Sequence, residues 1–565
     1  MTNNIGYGVV YTPDSLSEYV AALLLEEFNK DIPTDSVNSK SITILDPACG
    51  EGSLLLATEK ALENQKFSQE FNLIGIDIEE DVIKRDRQHF DVSKYTFYSN
   101  DALLPSETGT PIEYWRSMGI EPELIIANPP WSSEKLYDKK RLTDAGYKFD
   151  VGQYDSYVLF IELCLNLLKN DGYMALIIPD SIFSSENCEL RRYLAEKTQL
   201  KVISRLGEKL FPGVNRATTV LIIKKTRPTD KSETTCFRLS TDLRKAYFAG
   251  ETSLLNCHIL YSHSVLQKRF IENSGCIFDI DAQKDEESLL RKMERIAFKW
   301  NEVFHFGRGV EISKSGMVVT CSKCGVAQGY SKKHYENGQK KCTKCGEIIE
   351  VSQRASTKII DSVYHAGYKK IYVGENLHRY AITGGSFVKM NVPGINYKTE
   401  ELYEPPKILI RKTGLGINAC IDYESTYISQ TVYSCNYIQP NNTVPLEYYL
   451  GVLNSRVLYY YYLKKYGENE WKSHPYFTKD IIFSLPIPAV TETNASICRR
   501  IAEKVITMKN KYSRNTDLEI EKLVIAMYGL NSAELEIVKT EINHLPDLGA
   551  INHMKINEGE LCLDT

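Results

Sequence analysis

Short apolar runs alternate with amphipathic stretches over the first 230 residues of the chain. The runs predict strands at 42–46, 72–77, 95–99, 123–128, 173–179, 201–206 and 217–225. Helix-like segments follow the first two runs, and an amphipathic one at 156–170 precedes the fifth. This alternation predicts an α/β fold, with a parallel sheet, helices on both faces and a ligand site at the carboxyl ends of the strands.

The second half of the chain has a less regular pattern. The segment 457–467 (VLYYYYLKKYG) is dense in tyrosine, and we expect a helix that packs its tyrosines into its own domain. Direct contact of these tyrosines with a ligand is the alternative. Helix-like segments recur in 490–565, and RPTDKSETT at 227–235 is the best candidate linker. We therefore predict domains at 1–235 and 236–490, followed by a helical region at 491–565.

Length and composition indicate an ordinary soluble protein of two or three domains. The chain has 565 residues, of which 43% are hydrophobic and 25% are charged. No apolar run reaches the length of a membrane span, and no secretory signal is visible at the start. Most of the 14 cysteines stand alone, which is typical of a reducing compartment. A cytoplasmic location in a bacterium or archaeon is our expectation.

Charge is divided unevenly between the two halves. Residues 1–235 contain 26 Lys and Arg against 36 Asp and Glu, whereas the remaining residues contain 42 against 37. The net charge of −5 for the whole chain therefore conceals a basic second half. A polyanion is expected to meet that half more readily than the first.

A glycine-containing loop and two acids form the first candidate site. The loop Asp46–Gly52 (DPACGEG) follows the first predicted strand, and its glycines allow a close approach of backbone to ligand. Asp77 ends the second strand, where an acid typically accepts hydrogen bonds from ribose hydroxyls. Asp101 follows the third strand and could accept from an adenine amino group. A plain turn, a helix cap and a loop acid are the alternatives, but together the three features outline an adenosine-shaped site.

The tetrapeptide Asn128-Pro129-Pro130-Trp131 follows the strand ELIIA and forms the second candidate site. Two prolines stiffen the loop and remove two backbone donors. The Asn128 side-chain oxygen and the Pro129 carbonyl remain as acceptors, and Trp131 adds a flat π surface. This set suits a planar substrate with an exocyclic amino group, whereas a purely structural turn is the alternative.

The order of these motifs resembles that of the gamma-class, TaqI-like N6-adenine DNA methyltransferases of restriction–modification systems. Tyr11-Thr12-Pro13 is followed by DPACGEGS, GIDI, NDAL and NPPW, and the resemblance covers residues 5–230. It implies a Rossmann-like, S-adenosylmethionine-dependent methyltransferase domain and an α+β target-recognition domain that binds double-stranded DNA. The implied cofactor-binding residues are Tyr11, Thr12, Pro13, Asp46, Pro47, Ala48, Gly50, Gly52, Asp77, Ile78, Asp101, Ala102 and Asn128.

The resemblance also implies the reaction. Asn128, Pro129, Pro130 and Trp131 would be catalytic, transferring a methyl group to N6 of an adenine flipped out of duplex DNA. Trp131 and Phe211 would stack on that base, although Phe211 could equally be a core residue. The alternatives are an RNA or protein (glutamine) methyltransferase and a catalytically silent DNA-binding relative. No nuclease segment is recognised, so we expect any restriction or defence nuclease to be a separate polypeptide.

Four cysteines in the second half have the spacing of a zinc ribbon. Cys321, Cys324, Cys342 and Cys345 form CxxC-x17-CxxC, and each pair is followed by glycine. We predict a structural zinc ion that stabilises an insertion at about 316–350, with redox dithiols as the alternative. Residues 314–345 contain seven lysines against one acid. We expect the ribbon to add sequence-independent DNA affinity, the alternative being a solvated basic surface.

Overall fold

The computed structural model describes most of the chain and divides it into two compact units. The first unit comprises residues 1–284 with 464–473, and the second comprises residues 285–463 with 474–565. The described residues are 11–31, 41–65, 69–106, 109–131, 137–149, 155–313, 315–439, 442–467, 475–509 and 511–561. In those ranges, no helix combines the length and the apolar character needed to cross a membrane.

One nine-stranded sheet forms the centre of the first unit, in the order β3-β2-β1-β4-β5-β7-β6-β8-β9. Its strands are β1 Ile42–Asp46, β2 Phe71–Asp77, β3 Tyr95–Ser99, β4 Leu124–Ala127, β5 Tyr173–Pro179, β6 Gln199–Gly207, β7 Thr218–Lys224, β8 Glu233–Arg238 and β9 His263–Leu266. The seven strands predicted from apolar runs all exist, with ends within two residues of the prediction.

Helices cover both faces of this sheet, as predicted. They are α1 Asp14–Asn29, α2 Ser53–Asn64, α3 Glu80–His89, α4 Pro111–Ser117, α5 Lys139–Asp144, α6 Ser156–Leu167, α7 Cys188–Lys197, α8 Thr241–Phe248, α9 Leu254–Tyr261 and α10 Gln267–Glu272. Neighbouring residues of one strand enter different cores: Leu45 packs into one cluster and Ile44 into the other. This division explains why the central strands β4 and β5 read as continuous apolar runs, since both of their faces are buried.

The sheet is mixed, and the prediction of a parallel sheet is correct only for part of it. Strands β1 to β5 pair in parallel, but β7 is antiparallel to both of its neighbours, β5 and β6. The connection from β6 to β7, residues 208–217, contains no helix. A parallel neighbour needs a crossover of about a dozen or more residues, so a short connection favours the antiparallel pairing.

The first unit extends beyond the predicted domain boundary at residue 235. Strand β8 crosses that position and pairs in parallel with β6, and β9 then pairs with β8. The polar segment 227–235 therefore forms the turn between β7 and β8 and the start of β8, and the compact unit continues to Lys284. Turn composition and linker composition are alike, so the sequence did not distinguish them.

The second unit combines small sheets with a helical region. Its strands are β10 Phe304–Arg308, β11 Met317–Thr320, β12 Ala327–Gly329, β13 Gln339–Lys341, β14 Ile348–Glu350, β15 Ser356–Lys358, β16 Ile360–Asp361, β17 Tyr368–Tyr372, β18 Leu377–His378, β19 Ala381–Ile382, β20 Ser386–Lys389, β21 Lys407–Arg411, β22 Ala419–Asp422, β23 Tyr427–Ile428 and β24 Val432–Tyr437. The two larger sheets have the orders β10-β24-β21-β22 and β16-β20-β17-β23. The helices are α11 Glu287–Arg295, α12 Trp300–Val303, α13 Lys332–Glu336, α14 Leu446–Leu453, α15 Arg456–Tyr466, α16 Lys479–Ser484, α17 Ala495–Met508, α18 Arg514–Tyr528 and α19 Ser532–Asn543.

The tyrosine-dense segment is helix α15, and its tyrosines are buried. Tyr459, Tyr460, Tyr461 and Tyr462 are at most 3% exposed, and the Tyr461 hydroxyl donates to Glu294 at 2.8 Å. The expectation of a packed helix is therefore confirmed, and burial removes these residues as candidates for a direct ligand contact.

The carboxy-terminal helices belong to the same unit as the sheets before them. Arg379 and Arg456 form a buried ion cluster with Asp517 and Glu521 of α18, with an Arg379–Asp517 distance of 2.8 Å. All four side chains are at most 7% exposed. Buried charges of this kind require their partners, so the helical region is an integral part of this unit.

Candidate active site and cysteine cluster

Asp46–Gly52 forms a tight loop between β1 and α2. Gly50 and Gly52 have φ angles of +52° and +74°, in the left-handed region that favours glycine. A Cβ atom on Gly52 would lie 2.8 Å from the ring of Phe90. Both glycines are thus favoured by the backbone itself, and the loop lies at the carboxyl end of β1, where the sequence predicts a ligand site.

Asp46 places a buried carboxyl group at the start of this loop. Its Oδ1 accepts from the Ala48 amide at 3.0 Å, whereas its buried Oδ2 has no hydrogen-bond partner within the described ranges. Burial raises the pKa of Asp46 to about 8, and the nearby charge of Asp77 contributes in the same direction. A buried carboxylate oxygen in need of a partner fits a cationic group of a ligand, such as the ammonium of an amino acid.

Asp77 ties the end of β2 to the glycine loop. One carboxylate oxygen accepts from the Gly50 amide and the other from the Glu79 amide, each at 2.9 Å. A carboxylate oxygen has a second lone pair, so both can still accept from ribose hydroxyls, and that role stays a prediction. The adjacent Ile78 is 64% exposed, an apolar side chain beside a polar pocket.

Asp101 lies after β3 and is held by its own loop. Its Oδ1 accepts from the Leu103 amide, and its Oδ2 accepts from the Tyr137 hydroxyl, each at 2.9 Å. Ala102 is buried, and its carbonyl accepts from the indole N–H of Trp115. The sequence did not indicate Tyr137, which precedes a short helix and stands in no recognised motif.

The amino-terminal motif meets both candidate sites. The Tyr11 ring is about half exposed and lies 3.7 Å from the position that a Cβ atom on Gly50 would take. The Thr12 hydroxyl accepts from Asn128 Nδ2 at 3.1 Å, and Pro13 precedes the first residue of α1. Three motifs that are far apart in sequence are therefore neighbours in space.

The loop Asn128–Trp131 follows β4, next to β1 in the sheet, and contacts hold it along its length. The Ser156 hydroxyl donates to the Pro130 carbonyl, and Arg216 donates to the Trp131 carbonyl at 2.8 Å. Arg216 also pairs with Asp155 at 2.5 Å, with Asp155 preceding helix α6. The sequence did not indicate these three supporting residues, because no local motif links positions about 25 to 85 residues from the loop.

Phe211 lies against Trp131, the residue with which it is predicted to enclose the base. It is only 2% exposed, and its ring meets that of Trp131 edge to face, at a centroid distance of 5.4 Å and an angle of 86°. This burial and this contact favour the alternative that Phe211 is a core residue that supports Trp131. Its role as a second stacking ring stays a prediction.

The four predicted metal ligands come together in the second unit. Their Sγ atoms all lie within 4.8 Å of one another, with Cys321–Cys345 at 3.6 Å and Cys324–Cys342 at 3.7 Å. Tetrahedral zinc with Zn–S bonds of about 2.3 Å separates its sulfurs by about 3.8 Å, so the cluster fits such an ion. No other group of potential metal ligands is found among the described residues.

Two equivalent turns carry these cysteines. The amides of Gly325 and Gly346 donate to the carbonyls of Cys321 and Cys342, and both glycines have positive φ angles, +72° and +78°. The backbone amide of Cys345 donates to the Cys342 sulfur and holds the pKa of that thiol at about 6. Gln328 Nε2 also contacts this sulfur at 3.0 Å. The donors stabilise thiolates, the form that binds metal.

The cysteines belong to a small module formed by β11 to β15. Its own core contains only Val319, Cys321, Cys342, Ile349 and Val351. Strand β15 pairs with β11, so the module, residues 315–358, ends later than the insertion predicted at 316–350. We call it the cysteine module.

Comparisons with known proteins agree with this arrangement. The N-6 DNA Methylase family matches residues 2–274, and the TaqI-like C-terminal specificity domain matches residues 369–487. The Type II methyltransferase M.BanIII of Aneurinibacillus aneurinilyticus is 31% identical over 223 residues, which are 36% of each chain. The Type I restriction enzyme MpnII methylase subunit of Mycoplasma pneumoniae is 27% identical over 235 residues, 39% of this chain and 40% of the subunit.

A solved structure of a nuclease-deletion mutant of the Type ISP restriction-modification enzyme LlaGI, in complex with a DNA substrate mimic, is also similar. The matched region covers 89% of this chain and 55% of the LlaGI chain, at 15% identity and a TM-score of 0.49. The chain spans well under half the length of the two curated relatives named above.

The central sheet, the glycine loop and the family match define an S-adenosylmethionine-dependent methyltransferase fold. The first unit carries an N-6 DNA Methylase domain, and the second unit carries a TaqI-like C-terminal specificity domain.

Proposed function

We propose that this protein is a site-specific DNA methyltransferase that transfers a methyl group from S-adenosylmethionine to N6 of adenine. The observation that carries the proposal is the contact between Asn128 and Thr12, beside the loop that starts at Asp46. This contact supports the proposal because it orients the amide at the sheet edge where Asp46 and Asp77 would bind the ammonium and ribose groups of the cofactor. The matches to the N-6 DNA Methylase family and to the TaqI-like C-terminal specificity domain support a DNA substrate.

Residues of the first unit would hold the cofactor, which supplies an electrophilic methyl group on a sulfonium. The buried Oδ2 of Asp46 would accept from its ammonium group. Asp77 would accept from the ribose hydroxyls, and Asp101 from the adenine amino group. Ile78 offers an exposed apolar surface to the adenine ring. The remaining contacts would come from the backbone of the glycine loop and from Tyr11.

Asn128 and Pro129 would act on the amino group that receives the methyl. Adenine N6 is a poor nucleophile because its lone pair is delocalised into the ring. When the Asn128 oxygen and the Pro129 carbonyl accept both amino hydrogens, that pair is directed out of the ring plane. The proton becomes acidic as the new N–C bond forms, so no strong base is required beforehand. Alignment of the two substrates then lowers much of the barrier.

The contacts around the loop keep these acceptors in place. Thr12 accepts from Asn128 Nδ2, which orients the amide oxygen away from the hydroxyl. Ser156 and Arg216 bind the next two carbonyls along the loop, those of Pro130 and Trp131. The loop is therefore fixed on both sides of Pro129, and little reorganisation is needed in the reaction.

The target adenine would leave the duplex to reach this site. Base flipping costs a few kcal/mol, and stacking on an aromatic side chain returns about 1–3 kcal/mol. Trp131 is the stacking residue, supported at its edge by Phe211. The specificity domain would bind double-stranded DNA and choose the site. A restriction–modification or phage-defence role, in which any nuclease would be a separate polypeptide, completes the proposal.

We also propose that the cysteine module is a zinc ribbon. The four sulfurs have the separation expected of tetrahedral zinc, and a core of five residues is too small to be stable by itself. Zinc would be structural, because all four ligands come from the protein and no position is left for a substrate.

Methyl transfer in vitro tests the proposed function. The purified chain is incubated with methyl-labelled S-adenosylmethionine and with duplex DNA, structured RNA or a protein mixture. Label is expected in DNA, recovered as N6-methyladenine after digestion to nucleosides. Label in RNA or in glutamine instead would favour the alternative methyltransferase, and transfer to no substrate would contradict the proposal.

A further inference from the structure

The cysteine module exposes three lysines that have no acidic partner. Lys333 lies in α13, Lys341 in β13 and Lys344 in the second cysteine turn, and all three are exposed. Within the described part of the chain, no carboxylate lies within ion-pairing distance of these three ammonium groups. We call them the module lysines. Lys314, the first of the seven lysines counted in the sequence, lies outside the described residues.

The acids of the module are already engaged. Glu336 pairs with Lys332 at 3.6 Å, and Glu347 pairs with Lys323 at 3.5 Å. Glu350 accepts from the Ser352 hydroxyl at 2.6 Å. The module lysines therefore carry an unbalanced positive charge, rather than forming one half of a mixed-charge surface.

Lys340 is different from its neighbours and has a structural role. Its Nζ donates to the Gly329 carbonyl, and burial lowers the pKa of Lys340. Lys341 follows it in strand β13 and points to the other side, since side chains alternate along a strand. Its stem lies along the second cysteine turn, 3.7 Å from where a Cβ on Gly346 would be. Of these two neighbours, therefore, only Lys341 is available to a partner.

An exposed tyrosine is a second feature of the cysteine module. Tyr335 is 47% exposed in α13, and its ring stacks on that of Tyr330 with an angle of 16° between the planes. Tyr330 is fixed in turn by a hydrogen bond with Ser356 at 2.9 Å. Tyrosine, like lysine, is a residue whose side chain commonly contacts phosphate oxygens.

We propose that the module lysines bind the phosphate backbone of duplex DNA and contribute affinity without sequence preference. The inference rests on the proposed function for its partner, DNA. Lysine ammonium groups are compact point charges that suit phosphates, whereas arginine, the residue best suited to bidentate base recognition, occurs once in the module, at Arg354. Sequence choice would remain with other parts of the second unit.

The test measures DNA binding by the full zinc-loaded chain over a range of salt concentrations. The variant combines Lys333→Ala, Lys341→Ala and Lys344→Ala. The matched control removes the same charge at exposed lysines of the first unit that have acidic partners, by Lys84→Ala, Lys245→Ala and Lys268→Ala. Metal analysis verifies one zinc per chain, and methyl transfer is measured with saturating DNA.

We expect the slope of log affinity against log salt to fall by about 0.9 for each phosphate that the variant no longer neutralises, or about 2.7 for three. Affinity for target and non-target duplexes should fall by the same factor, with the control slope and the saturated transfer rate unchanged. An unchanged slope with zinc bound would overturn the inference while leaving the methyltransferase proposal intact. A wild-type chain that binds no duplex DNA would overturn both.

Discussion

The amide nitrogen of Asn128 donates to the hydroxyl of Thr12 at 3.1 Å, although 116 positions separate the two residues in sequence. Thr12 immediately precedes Pro13 and helix α1, whereas Asn128 follows the fourth strand of the sheet. The contact determines which end of the amide faces the hydroxyl. The amino-terminal motif is thereby linked to the group that we propose accepts from the target amine.

Replacement of Asn128 should abolish methyl transfer while leaving cofactor binding nearly intact. In Asn128→Ala, the acceptor for one amino hydrogen is removed, so the chemical step suffers. We expect affinity for S-adenosylmethionine, measured by calorimetry, to change by no more than a few-fold. Near-normal transfer of radiolabel by this variant would contradict the assigned mechanism.

Two Thr12 variants test whether the Thr12 hydroxyl orients the side-chain amide of Asn128, which is present in both variants. Thr12→Val keeps the shape but removes the hydroxyl, and we expect a lower transfer rate at saturating substrates. Thr12→Ser retains the hydroxyl and should stay close to wild type. Equal rates in the two variants would mean that the hydrogen bond does not orient Asn128.

Cofactor affinity should depend on pH through Asp46. Below its pKa of about 8 this carboxyl is neutral, so binding of a ligand ammonium requires loss of its proton. Affinity for S-adenosylmethionine should rise by up to about tenfold per pH unit towards that pKa and then level off. Calorimetry in buffers of different ionisation enthalpy should detect the released proton. In Asp46→Asn the affinity should be lower and independent of pH, and an unchanged pH profile would contradict this role.

The same raised pKa predicts a cost in stability. An unfolded Asp ionises near 3.8, whereas the folded one remains protonated up to about 8. Between these values the folded state binds more protons, so the contribution of Asp46 to the free energy of unfolding falls as pH rises. Denaturant titrations of wild type and Asp46→Asn across this window should converge at low pH.

Base flipping should be visible with 2-aminopurine in place of the target adenine. Its fluorescence is expected to increase on binding, because the base leaves the stack. Trp131 can quench part of this signal, so Trp131→Ala should give a brighter complex that is weaker by about 1–3 kcal/mol. If neither protein changes the fluorescence, the base stays in the duplex.

Zinc analysis tests the cysteine module independently of catalysis. Protein purified under reducing conditions should contain one zinc ion per chain. Cys342→Ser should lose the metal and melt at a lower temperature, since the module core is small. Cys188→Ser, which changes a half-buried cysteine outside the cluster, is the control and should keep its zinc. Wild type without zinc would refute the site.

The sequence predicted the parts of this fold that depend on local pattern. Strands such as β5, buried along all seven residues, read directly as apolar runs, and the CxxC spacing predicted the cysteine cluster. Local pattern does not predict which strands pair with each other in the sheet. The antiparallel position of β7 and the addition of β8 depend on connection length and on distant pairing, which composition does not encode.

The residues of the candidate site likewise include some that the sequence predicted and others that it did not. Asp46, Asp77 and Asn128 stand in motifs at strand ends, so they were predicted to share one edge of the sheet. The supporting pair Arg216–Asp155 joins positions 61 residues apart and belongs to no motif. The orientation of Phe211 against Trp131 depends on side-chain packing, which a motif match does not include.

The central claim is tested most directly by sequencing the methylated bases of a host that expresses this chain. The matched host expresses Asn128→Ala at the same level. We predict N6-methyladenine at one recurring sequence throughout the genome of the first host, and none at that sequence in the second. An unmodified genome beside active, correctly folded protein, or the same methylation with Asn128→Ala, would contradict the account.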